Sequence, residues 1–139
     1  MRTDLAVGSV GSGGPALFRL VRFWSRRWAP APVPLLEAID AAQVDGTAAI
    51  NDVAVELGLD RSNASRMLAD AVRDGLVTKA AAPDDARRAV LGLTDDGRAM
   101  LADARAWQAE RFAELVADWP VRDARRFAGY LVRLAEGTR

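Results

Sequence analysis

Apolar residues return at helical spacing through most of this chain, and residues that break or cap helices interrupt them at short intervals. From Pro15 to Trp28, the positions Leu17, Leu20, Val21, Trp24 and Trp28 form one stripe of an amphipathic helix, with Pro15 suited to its first turn. Ala29-Pro30-Ala31-Pro32 ends that pattern, and Pro34 opens a second helix through Leu35, Ala38, Ile39 and Ala42 that closes before Asp45-Gly46. Ala48-Ala49-Ile50 reads as a short strand. A third helix follows, with Asn51 as capping residue and Val53, Ala54 and Leu57 on one face, until Gly58 turns the chain. Asp60 is a good N-cap for a fourth helix that ends at Gly75 and directs Ala64, Met67, Leu68, Ala71 and Val72 inward.

The pattern then changes period. Leu76-Val77-Thr78-Lys79 reads as a strand, Pro83 to Arg88 as a polar turn, and Ala89-Val90-Leu91-Gly92-Leu93 as a returning strand. Two helices across a tight corner, followed at once by a hairpin with paired arginines at its tip, predict a winged helix-turn-helix over about 34–94. The small polar and arginine side chains near the head of the fourth helix are of the types that reach base edges in a major groove. Ser62, Asn63, Ser65 and Arg66 are therefore the expected base-reading residues, and Arg61, Lys79, Arg87 and Arg88 the expected phosphate contacts. A solvated helix face is the plainer reading of the same residues, and it is the hairpin that tilts the balance.

Thr94 caps a long helix expected to reach Trp119, with Asp95 and Asp96 favourable at its N-terminus. Pro120 starts a last helix whose stripe holds Ala124, Phe127, Ala128, Leu131, Leu134 and Ala135. The fold class is thus mainly α with a small β wing, flanked by dimerisation helices at about 15–28 and 95–136. The reading lobe is too small to bury both terminal stripes. Phe112, Leu115, Phe127 and Leu131 are assigned to a dimer seam, whereas Leu20 and Leu101 are expected in the core of one chain. Residues 1–14, with Gly8, Gly11, Gly13 and Gly14 beside Ser9 and Ser12, are expected to be mobile, and the single domain to occupy 15–139.

Leu57-Gly58-Leu59-Asp60-Arg61-Ser62, then Asp74-Gly75-Leu76-Val77, then Asp84-Asp85-Ala86-Arg87-Arg88 leading into Leu93-Thr94-Asp95-Asp96-Gly97, resembles the MarR family of bacterial transcription regulators. That resemblance implies a homodimer of winged lobes on an operator in double-stranded DNA, acting in many members as a repressor released by a small, often aromatic, inducer. It also implies a wing in which an Asp pairs with Arg near the tip, a role that Asp85, Arg87 and Arg88 can fill. Ala80-Ala81-Ala82 stands where members commonly carry charged residues. The family's crevice between dimer helices and reading lobe makes Trp24, Trp28 and Trp107 the candidate ligand pocket, although the same rings can simply fill core or interface volume.

Composition narrows the alternatives. The 139 residues include 50% hydrophobic ones, enough for one cored domain, and the formal net charge is zero, which argues against a chain that coats nucleic acid indiscriminately. From Arg61 to Arg88, however, Arg61, Arg66, Arg73, Lys79, Arg87 and Arg88 outnumber Asp70, Asp74, Asp84 and Asp85. Neither cysteine nor histidine is present, which removes thiol redox sensing, most metal sites and the usual general base. No metal or cofactor is expected. With no signal-peptide pattern and no apolar run of roughly twenty residues, a cytoplasmic protein without membrane contact follows. Two rival readings stay open: a winged-helix interaction module that has lost DNA binding, and a small carboxylate-dependent enzyme.

Overall fold

The computed structural model describes residues 9–25 and 32–138 and divides the chain into two compact units, 1–104 and 105–139. In chain order the elements are α1 (Val10–Ser25), α2 (Val33–Ala42), β1 (Ala48–Ala49), α3 (Ile50–Leu57), α4 (Arg61–Arg73), β2 (Val77–Ala81), β3 (Ala89–Leu93), α5 (Asp95–Leu115) and α6 (Val121–Glu136).

In the first unit, β2 and β3 form an antiparallel hairpin in the register Val77↔Leu93 to Ala81↔Ala89. β1 adds to the far edge of β3 through Ala48↔Leu91 and Ala49↔Val90, so the order is β1-β3-β2. The core gathers Leu35, Leu36 and Ile39 from α2, Ala48 from β1, Val53 from α3, Leu68 and Ala71 from α4, Val77, Leu91 and Leu93 from the hairpin, and Leu101 from α5. Every element of this unit after α1 therefore gives at least one side chain to a common apolar centre, the largest stabilising term available to it.

The junction between the hairpin and α5 is close-fitting. Thr94 caps α5, accepting from the Gly97 N–H at 3.0 Å, while its hydroxyl donates to the Gly75 carbonyl at 2.7 Å. The Thr94 N–H also bonds the Leu76 carbonyl at 3.1 Å. Gly97 is buried against that carbonyl, and a Cβ there would overlap the Leu76 oxygen.

Several boundaries differ from the sequence pattern. α1 starts at Val10, so Pro15 is an interior residue; the N–H and hydroxyl of Ser12 both hold the Ser9 carbonyl and begin the helix among glycines expected to be mobile. Trp28 and residues 1–8 lie outside the described residues. Leu20 is 44% exposed rather than a core residue, because the stripe it shares with Leu17 and Val21 is exposed along its length. Leu101, at 3%, is core. Asn51 sits one residue inside α3, whose cap position is Ala49 without a side-chain bond, since the helix starts directly from the strand. Val72 faces solvent.

In the second unit, α5 ends at Leu115 rather than Trp119. The chain then tightens through Ala117 N–H to Glu114 and Trp119 N–H to Val116, since a residue before proline avoids the helical region. Phe112 and Phe127 stack at 5.9 Å, and Trp119 meets Phe127 at 5.2 Å. No residue of α6 is buried, and Leu134, Tyr130 and Val132 are exposed.

Glycine to alanine inside a helix is ordinarily stabilising by about 0.5–1 kcal/mol. Gly97→Ala should do the reverse, lowering stability by roughly 1–3 kcal/mol through overpacking on the Leu76 carbonyl. Chemical denaturation gives the sign; a variant as stable as the parent would mean the contact is loose.

Candidate nucleic-acid interface

The corner between α3 and α4 is made by Gly58, in the left-handed region at φ +63°, whose N–H closes on Val55 while Leu59 N–H reaches Ala54. Asp60 follows in extended conformation, and its carboxylate accepts the Asn63 N–H at 2.9 Å. This cap sets the rotation of α4. Ala64, Leu68 and Ala71 point into the core, which leaves Ser62, Asn63, Ser65 and Arg66 exposed together on the opposite side. Arg61 is the first residue of α4, and its side chain lies outside the described set.

The exposed polar residues are not independent. The Asn63 carboxamide donates to Asp60 Oδ2 at 2.8 Å, and its oxygen accepts from the Arg66 guanidinium at 3.3 Å. One residue per helical turn is thereby linked along the surface of α4. Arg73, at the other end of the helix, is instead paired with Asp70 at 3.1 Å.

The wing turn is built from its own side chains. Asp85 accepts the Arg87 N–H at 3.0 Å, and Ala82 N–H bonds the Arg88 carbonyl at 2.9 Å across the neck. Arg88 was expected to pair with Asp85 and hold phosphate. Its guanidinium does form a long ion pair with Asp85 at 3.9 Å, but its hydrogen bonds go to both oxygens of Asp84 at 2.8 Å, so it closes the turn. Asp84 is the wing residue that the sequence pattern passed over, and the i,i+4 spacing to Arg88 was its only signal. Arg87 and Lys79 are exposed and have no carboxylate partner among the described residues. Ala82 is 6% exposed at the neck of the turn, while Ala80 and Ala81 face solvent.

The remaining candidates fall in separate places. Trp24 is half-buried and stacks on Phe23 at 6.2 Å. Trp107, in the second unit, is half-buried with the Arg111 guanidinium 5.7 Å above its ring. Of the residues assigned to a dimer seam, Phe112, Phe127 and Leu131 are half-buried within one chain and Leu115 is 48% exposed. The stacking of Phe112 on Phe127 shows that part of this apolar surface is used within the chain. Among the described residues no carboxylate group is gathered to hold a metal ion, and no helix is long and apolar enough to cross a membrane.

A helix presenting polar and basic side chains beside a basic-tipped hairpin defines a winged helix-turn-helix. Residues 30–88 match the model of the MarR family. The fold agrees. S. aureus MepR bound to an oligodeoxyribonucleotide is similar with a TM-score of 0.60 at 20% identity, over 91% of this chain and 98% of that one. PcaV from Streptomyces coelicolor, in complex with its natural ligand, gives 0.61 at 22% identity over 97% and 100%. YusO from Bacillus subtilis gives 0.64 at 17% over 98% and 99%. No curated protein sequence matches the chain. The likeness to the MarR family thus covers the winged-helix segment, and the likeness of fold extends over nearly the whole chain.

Proposed function

We propose that the protein represses transcription as a homodimer on an inverted-repeat operator and that a small aromatic molecule releases it. The observation that carries the DNA-binding part is the joint exposure of Ser62, Asn63, Ser65 and Arg66 on α4 and of Arg87 at the wing tip, within one compact unit. α4 suits a major groove, and Arg87 suits the adjoining minor groove or phosphates. MepR, a structural relative, has been seen on an oligonucleotide, which supports the same surface here.

The homodimer is supported by apolar surface that one chain leaves open. Leu17, Phe18 and Val21 of α1 are 41%, 66% and 56% exposed, and no residue of α6 is buried. Faces of this kind mark an association site. A ligand needs only a higher affinity for the form of the dimer that cannot hold DNA. PcaV has been seen with its natural ligand, and Trp24 and Trp107 are half-buried flat rings of the kind that bind aromatic molecules. An interaction module without DNA binding is disfavoured by the unpaired Arg87, but remains an outcome of the first test below.

Selection from a random duplex pool should enrich an inverted repeat with half-site centres about 10 base pairs apart. Arg87→Ala should weaken every duplex alike and reduce the salt slope by roughly one, because one phosphate contact is lost. Arg88→Ala should act less directly, by opening the turn. No enrichment by folded dimer would leave the interaction-module reading standing.

Leu115→Asp should make the protein monomeric without unfolding the single chain, where this position is 48% exposed, because an unpaired carboxylate in an apolar seam costs several kcal/mol. Sedimentation of a fully dimeric variant would place the seam elsewhere.

Tryptophan emission titrated with small aromatic acids and phenols, beside a DNA-binding assay, should show quenching and release by the same compound. With no cysteine in the chain, mild peroxide should leave DNA binding unchanged. A panel that neither quenches nor releases would reduce the tryptophans to packing residues.

A further inference from the structure

We infer that Asn63 is a positioning residue for Arg66, itself held by the N-cap Asp60, and that Arg66 rather than Asn63 reads the base, a guanine. This rests on the DNA-binding reading above and sharpens it. Asparagine reads adenine by using its carboxamide as donor and acceptor at once. Here both ends of the carboxamide are engaged along the helix, Nδ2 donating to Asp60 Oδ2 at 2.8 Å and Oδ1 accepting from Arg66 at 3.3 Å. The group therefore lies parallel to the helix axis between its two neighbours. Arg66 uses one nitrogen on Asn63 and keeps its other donors, enough for the paired contact to O6 and N7 of guanine. A long flexible side chain tied to its own helix before binding loses less rotamer freedom on contact.

Asp60 has two separable duties, one per oxygen. Oδ1 caps α4 by accepting the Asn63 backbone N–H at 2.9 Å, and Oδ2 holds the Asn63 side chain. Serine caps a helix about as well as aspartate but has no second oxygen. Asp60→Ser thus keeps the helix and cuts the link.

The test uses the full-length protein and the half-site it selects, with each base placed in turn at every step. The wild type should prefer guanine at one step by on the order of tenfold or more, as a paired arginine contact does. Arg66→Ala should abolish that preference, identifying the step. Asp60→Ser and Asn63→Ala should each lower it several-fold, Asp60→Ser while melting temperature and generic-duplex affinity change little. In the Asn63→Ala background, Asp60→Ser should have no further effect on the ratio, since Asp60 acts through Asn63. The inference is overturned if Asp60→Ser leaves the guanine ratio unchanged, or if Asn63→Ala erases an adenine preference at another step. A wild type that selects no sequence would instead sink the DNA-binding reading itself.

Discussion

One hydroxyl joins the end of α4 to the start of α5: Thr94 donates to the Gly75 carbonyl at 2.7 Å and accepts from the Gly97 N–H at 3.0 Å. The backbone of the same residue bonds Leu76, and Gly97 lies bare against that carbonyl. Gly75 supplies the left-handed conformation, φ +75°, that lets the chain reverse from α4 into β2. Because these contacts lie where α4 runs into β2 and β3 runs into α5, they fix how the hairpin leaves the helix. A threonine and two glycines that carry no charge thus act with the shared apolar core to hold the hairpin that carries Arg87 on the helix that carries Arg66.

The protein's zero net charge conceals a sorted surface. Arg73, Arg88, Arg98 and Arg111 are each committed to a nearby carboxylate, whereas Arg87 and Lys79 have no carboxylate partner among the described residues. Exposed pairs of this kind add little stability. Their effect here is on location: among the described residues, positive charge without a carboxylate partner is left at the wing, on Arg87 and Lys79, and on α6, on Arg122, Arg125, Arg126 and Arg133. The Asp84–Arg88 pair shows this well: it neutralises itself while shaping the turn that carries Arg87.

Much of the fold was legible because it depends on local chemistry. Gly58, Asp60, Gly75, Thr94 and Pro120 act through their own backbone preferences or the next few residues, and each punctuates the chain where its residue type demands. The hairpin and its β1 neighbour were readable from alternation and turn composition. The misreadings were of another kind. Leu20 and Val72 fit an apolar spacing yet face solvent, since spacing says that a stripe exists and not what lies opposite it. At the wing, Asp84 and Asp85 are adjacent and equivalent in sequence, and only the path of the turn decided that Arg88 hydrogen-bonds the first and stands 3.9 Å from the second.

The sequence by itself therefore determined the order and type of the elements, the caps and corners between them, and the set of polar side chains exposed on α4. These follow from interactions within one or two helical turns, where the covalent chain already holds the partners close. Tertiary structure decided which polar groups are free and which are spent. Gly97 looks replaceable in the sequence and is pressed in the fold on the carbonyl of Leu76, at the distant junction of α4 and β2. Such outcomes depend on distances of tenths of an ångström between groups whose directions are set only once the helix has turned and the core has closed.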